Sequence, residues 1–301
     1  MFYKPRTKPK ELITLELLNN RMIFSRKALL YYRSLKKGYE GEVLFDQLTE
    51  KLQCPCFILN DLLLEVNHTT FQIDSLIIIQ GQIYFYEVKN YEGDYYYETD
   101  QLYKKTKIEI MNPLNQLSRS ETLLRKLLLN HGIKLQINPF VVFINPTFTL
   151  YQAPLNKPII FPTQVNQYMK NLNTIPSKLT NKHRKLADLL LSLHKNDPPI
   201  SQVPSYEYNQ LRKGITCLKC VSFSMYVEKR KCVCRHCGFQ ESVTNAVLRN
   251  VKEFKVLFPN KKITTNLIHD WCQIVPSKKV VRRILSNHFH TNWNHRWTYY
   301  E

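Results

Sequence analysis

The stretch from Phe71 to Asn90, FQIDSLIIIQGQIYFYEVKN, narrows the choice of fold more than any other part of the chain. Its β-branched and aromatic runs flank Gln80-Gly81, the pattern of two strands joined by a tight turn. Charge interrupts these runs at only three inner positions, Asp74, Glu87 and Lys89. A two-residue loop sets Ile79 against Gln82. Counting outward from that pair puts Asp74 directly opposite Glu87, about 5 Å away between Cβ atoms, with Lys89 on the same face. A three-residue loop would set Asp74 against Val88 instead, so the argument depends on register. Two facing carboxylates in an apolar hairpin repel each other, and a divalent cation between them relieves that repulsion by taking hard oxygen ligands. Such a site suits phosphodiester hydrolysis, with Lys89 steadying water and developing charge. The competing reading is a sheet-edge salt bridge of Lys89 with Glu87 or Asp74, and the Asp74 spacing weighs against it.

The flanking segments supply a scaffold for the hairpin. Lys8 to Leu35 has apolar residues at helical spacing, which predicts one or two amphipathic helices without catalytic features. In KKGYEGEVLFDQLTEKL, Gly38 and Gly41 precede a helix with Glu42 at its start. A carboxylate there is either a dipole complement or a group leaning over the metal. Phe57 to Val66 reads as the first strand, and Asp94-Tyr95-Tyr96-Tyr97 as an aromatic strand continuing a largely sequential sheet. Asn112-Pro113 opens a long helix to Asn130, with Gln116 in its first turn, either solvated or reaching back to the site. INPFVVFI, Ile137 to Ile144, is a strand buried on both faces. The fold class is therefore α/β, a mixed sheet with helices on either side.

KKGYEGE, QID, EVK and NPLNQ, in this order and spacing, resemble the NERD domain, the nuclease-related domain of the PD-(D/E)xK nuclease superfamily. The resemblance covers roughly residues 36–150. It implies a restriction-endonuclease-like central mixed sheet flanked by helices. It also implies Asp74 and Glu87 as metal ligands, Glu42 contributing from the first helix, Lys89 as the catalytic lysine, and Gln116 as the family's helix glutamine. The cofactor implied is Mg2+ or Mn2+, bound by Glu42, Asp74 and Glu87.

A formal charge of +19 over 301 residues calls for a polyanion partner, nucleic acid before a membrane surface. No apolar run reaches membrane-spanning length and MFYKPRTKPK lacks a signal-peptide core, so a cytoplasmic protein is expected. Eight cysteines, four of them in two C-x-x-C pairs, fit metal binding in a reducing compartment better than disulfides. Cys217, Cys220, Cys234 and Cys237 have the spacing of two knuckles joined by a β-hairpin, a four-cysteine ribbon around structural Zn2+. Cys232 reads as a spare, and His236 is a weaker ligand candidate.

The expected organisation is a helical extension (1–35), the nuclease domain (36–150), a helical, proline-rich linker (151–212) that includes a short helical pattern at His183 to His194, the zinc ribbon (213–241) and a basic helical module (242–301). His183 and His194 in the linker read as solvated. The last segment looks like a helix-turn-helix, with Ser277 capping a second helix whose Lys278, Lys279, Arg282 and Arg283 suit phosphate or major-groove contacts. From Arg212 to Glu301 there are 17 Lys/Arg against 5 Asp/Glu, so most of the excess charge lies there. The terminal His288, His290 and His295, mixed with Trp293, Trp297 and Tyr299, suit aromatic packing or base stacking better than metal binding. The expected function is a metal-dependent nuclease acting on DNA, with a homodimer as one arrangement. A non-cleaving nucleic-acid-binding protein and an RNA-processing nuclease are the alternatives.

Overall fold

The computed structural model of the protein describes residues 2–195, 202–294 and 297–301, so His295, Pro198 and Pro199 lie outside the described residues. The chain divides into two units, Met1–Lys8 with Arg33–Ser201 and Pro9–Tyr32 with Gln202–Glu301.

Strand β1 (Phe2–Lys4) is followed by α1 (Lys10–Arg21), which belongs to the second unit, and by α2 (Arg26–Thr49), which serves the first from Arg33 onward. Strands β2 (Phe57–Val66), β3 (Thr69–Ile79) and β4 (Gln82–Lys89) form an antiparallel meander. The β3–β4 turn has positive φ at both Gln80 (46°) and Gly81 (74°), as a two-residue type I′ turn requires, and Ile79 faces Gln82. After β5 (Gly93–Glu98), β6 (Gln101–Lys104), β7 (Glu109–Ile110) and α3 (Pro113–Asn130), strand β8 (Gln136–Phe143) lies parallel to β4. Next come β9 (Phe148–Tyr151), β10 (Ile159–Ile160), α4 (Pro162–Asn173) and α5 (Asn181–Ser192). The main sheet has the order β1-β2-β3-β4-β8-β10, a mixed sheet in which β1, β8 and β10 pair in parallel.

Successive residues of β3 point to opposite faces, so Ile77 and Ile79 pack with Phe45 of α2 and with Val165, Met169 and Leu172 of α4. Leu76 and Ile78 pack with Leu117, Leu124 and Leu128 of α3 and Leu186 and Leu190 of α5. Burial on both faces explains why these strands read as nearly continuous apolar runs.

Four sequence expectations change. The tyrosine strand β5 does not extend the main sheet but joins a separate four-stranded sheet, β7-β6-β5-β9. Residues 151–195 carry two helices rather than the one short helical pattern expected, α4 ahead of the expected α5, each burying one apolar face against the sheet. His194 is not merely solvated, because its Nδ1 accepts from the Leu63 N–H of β2, 3.1 Å away. Glu42 does not begin a helix: α2 runs through Gly38 and Gly41, and the boundary at residue 36 falls inside it. Gly41 meets a packing need, since a Cβ there would lie 2.5 Å from Cβ of Asn90, just past β4. Asn90 also donates to the Lys37 carbonyl (2.8 Å), fixing α2 against the strand end that carries Lys89.

In the second unit β11 (Met225–Glu228), β12 (Lys231–Cys234) and β13 (Gln240–Ser242) form an antiparallel ribbon. Helices α6 (Val243–Leu257), α7 (Thr265–Cys272) and α8 (Lys278–His288) follow, then the hairpin β14 (Thr291–Asn294) and β15 (Trp297–Tyr300). Ile263 bridges to Tyr300, tying the start of α7 to this hairpin. The three helices close over Val251, Phe254, Trp271, Ile284 and Leu285, joined by Leu18 of α1. Ser277 stands at the N-cap of α8, but its side chain makes no capping hydrogen bond. No helix among the described residues is long and apolar enough to cross a membrane.

Candidate active site

Asp74 occupies a break in the sheet. The β3–β4 ladder ends at Ser75–Tyr86, and the β2–β3 ladder passes from Asn60–Ser75 to Leu62–Ile73 without an Asp61–Asp74 pair. The freed main-chain groups find side-chain partners, as buried backbone must. The Asp74 carboxylate accepts from the Val88 N–H (2.7 Å), and its carbonyl accepts from Arg6 Nη2 (2.6 Å).

Glu87 and Lys89 continue the Ile83-Phe85 row of β4, and Lys89 Nζ lies 2.6 Å from Glu87 Oε1 and 3.2 Å from Gln116 Oε1 of α3. Glu42 approaches from α2, with its Oε2 2.5 Å from Nη1 of Arg6. Arg6 also binds Asp46, one turn beyond Glu42, through Nε (2.8 Å) and Nη2 (3.2 Å). The five residues expected from sequence therefore lie in one network, together with Arg6 and Asp46. Asp46 was legible as the i+4 neighbour of Glu42 on one helix face. Arg6 carried no local signal.

Four carboxylates against two cations leave an acidic surplus in a buried place. Burial first, then Asp74, pushes Glu42 up to about 8 despite Arg6, and burial and Asp74 push Glu87 up to about 8 despite Lys89. Burial also raises Asp74, against the pull of Lys89, the Val88 N–H and Arg6. Lys89 is raised, because the pull of Glu87 and Asp74 exceeds the cost of its burial. Hard oxygen donors with a deficit of positive charge fit a divalent cation. Glu42, Asp74 and Glu87 do not form a group with one oxygen from each within 4.8 Å of the others, and Glu42 pairs with Arg6 and Glu87 with Lys89.

A pH dependence follows. The raised carboxylates make the folded protein hold protons that the unfolded chain releases, so without Mg2+ stability falls as pH rises from about 4.5 through about 8. A divalent cation held by these carboxylates would compete with those protons, so added Mg2+ should stabilise increasingly over the same range. Thermal unfolding across it, with zinc retained and with or without Mg2+, checks both slopes.

Residues 37–144 match NERD, the nuclease-related domain. The NERD segment contains all four carboxylates, Lys89 and Gln116, and excludes Arg6. No curated protein and no solved structure matches the chain.

In the second unit Cys217, Cys220, Cys234 and Cys237 bring their Sγ atoms within 4.8 Å of one another, the one such group of metal-ligating side chains among the described residues. Sγ separations of 3.6 Å for Cys217–Cys237 and for Cys220–Cys234 match the edge of a tetrahedron with Zn–S bonds of about 2.3 Å. Against burial, main-chain hydrogen bonds from Cys237 and His236 and the neighbouring thiols bring Cys234 down to about 7, while the neighbouring thiols push Cys220 up to about 12, so one shared charge among crowded sulfurs settles on Cys234. Cys232 is buried in the apolar core, and neither it nor His236 joins the cluster. Lys278, Lys279 and Arg282 are exposed and line a groove of about 870 Å³ with Thr264, Thr265 and Tyr300, whereas Arg283 lies outside it.

Proposed function

We propose that the first unit is a metal-dependent nuclease that hydrolyses phosphodiester bonds of nucleic acid, with DNA as its substrate. The buried acidic surplus around Asp74 and Glu87, beside Lys89, carries this reading. Asp74 and Glu87, with Glu42, would hold Mg2+ or Mn2+, which supplies the positive charge that polarises a phosphoryl oxygen and acidifies water. Lys89 donates to the attacking water or to the charge developing on phosphorus, as a preorganised ammonium among carboxylates can. Gln116 accepts from Lys89 and fixes its direction. The second unit contributes a ribbon held by structural zinc and the exposed cations of α8, which supply affinity for the phosphate backbone.

The test is cleavage of circular and linear duplex DNA, single-stranded DNA and RNA by the full chain with Mg2+, Mn2+ or neither, beside Asp74→Ala. Metal-dependent nicking that Asp74→Ala abolishes supports the reading. Salt-sensitive binding with no cleavage that Asp74→Ala removes defeats it, and cleavage confined to RNA reassigns the substrate. Replacing Lys278, Lys279 and Arg282 together by alanine should lower the slope of log affinity against log salt by about 3, one unit for each phosphate no longer neutralised. Fluorescence anisotropy over a salt series measures it, and an unchanged slope removes α8 from the interface.

A further inference from the structure

We propose that Arg6, which enters from the segment before α1, is a positioning residue for Glu42 and Asp74 in the hydrolytic site. The inference rests on the nuclease reading and adds to it a residue outside the matched segment. Strand β1 pairs in parallel with β2 at Ile58 and Leu59, which carries the following residues to the break beside Asp74. Lys4 Nζ donates there to the carbonyls of Asn60 (2.7 Å) and Asp61 (2.8 Å). Asp61 has φ of +54°, a left-handed conformation that interrupts the extended run of β2. The ladder is thus open where Arg6 enters.

Arg6 fills the opening with a fork whose three nitrogens all donate. Its side chain is 3% exposed and reaches Glu42 and Asp46, which share one face of α2, and the main-chain carbonyl of Asp74 on β3. Among the described residues Arg6 is the one hydrogen-bond partner of the Glu42 carboxylate. One planar guanidinium therefore sets the distance between the helix bearing Glu42 and the strand bearing Asp74. A lysine, a point donor on a flexible stem, could not span these acceptors. If the contact were only an anchor, Lys4 would be its equal, because Lys4 ties the same segment to the same break without touching a carboxylate.

The comparison of Arg6 with Lys4 is the experiment. Arg6→Met, Arg6→Lys, Lys4→Met and Asp74→Ala are made in the full chain with its cysteine site filled by zinc. Mn2+ affinity is measured by calorimetry, turnover on plasmid DNA by nicking, and folding by thermal unfolding. Arg6→Met should weaken Mn2+ binding and lower turnover by about 10- to 100-fold, the usual cost of losing a group that orients metal ligands. Arg6→Lys should recover little of either. Lys4→Met should lower the unfolding temperature while leaving Mn2+ affinity and turnover within about twofold. Arg6→Met behaving like Lys4→Met, or Arg6→Lys matching the wild type, overturns the proposal while the nuclease reading stands. Should Arg6→Met not fold, Arg6→Lys decides. A wild type without Mn2+ binding that Asp74→Ala removes overturns the nuclease reading and this proposal with it.

Discussion

Lys89→Met should lower metal-dependent cleavage by about 10²- to 10³-fold, the range for removing one preorganised donor from a site where charge develops, while nucleic-acid affinity stays within a few fold. The Lys89 side chain is only 19% exposed and its ammonium is held between Glu87 and Gln116, so its position is set before substrate arrives. Methionine keeps the length and apolar stem and removes the donor. The substitution has a second consequence, because Lys89 pulls the Glu87 pKa down against burial and Asp74. Without Lys89, Glu87 rises further and is protonated over more of the neutral range. The pH profile separates the two effects. Activity that returns as pH is raised means that Lys89 acts by keeping Glu87 ionised. A deficit that does not narrow as pH is raised means that Lys89 acts on water or phosphate. A variant that cleaves like the wild type at every pH takes the ammonium out of the mechanism.

With zinc in the four-cysteine cluster, as proposed, its removal should have the largest effect on folding. Zinc held by four thiolates contributes on the order of 10 kcal/mol to a small domain, comparable with the whole stability of one. Cys217 and Cys234 belong to the same buried cluster as Val247 and Trp271, so losing the ion should loosen the helical core as well as the knuckles. Stripping zinc with a strong chelator, or Cys234→Ser, should abolish the cooperative unfolding of the second unit and the salt-sensitive nucleic-acid binding assigned to α8. Cys232→Ala, at a buried position outside the cluster, should leave zinc stoichiometry unchanged and cost only ordinary core packing. Zinc content by elemental analysis with near-ultraviolet circular dichroism reads both. A chelated protein that keeps its near-ultraviolet spectrum would show that the sulfur cluster is dispensable for the core.

The features legible in the sequence were those set by neighbours along the chain. Gln80-Gly81 takes the two positive φ values of a type I′ turn, and that turn alone sets the count bringing Asp74 toward Glu87. The two C-x-x-C pairs announce the sulfur cluster because each knuckle is four residues long and a short hairpin joins them. Helices α3, α6, α7 and α8 follow from apolar periodicity with their caps and breaks.

Tertiary structure decided what depends on close approach between distant segments. Gly38 and Gly41 read as a helix start because glycine is a poor helix residue, yet α2 continues through them where Asn90 leaves Gly41 no room for a Cβ. The Asp94–Tyr97 strand has the alternation of any strand, and only its pairing with Phe148–Tyr151 places it in the second sheet. Arg6 looked like one more cation in a basic stretch. Its role appears only once the sheet opens at Asp61 and Asp74 and brings Glu42, 36 positions away, to its guanidinium. Turn chemistry and periodicity are local properties that the order of residues carries. A fork shared by a helix and a strand exists only after both have packed, because its energy comes from acceptors that no local rule brings together.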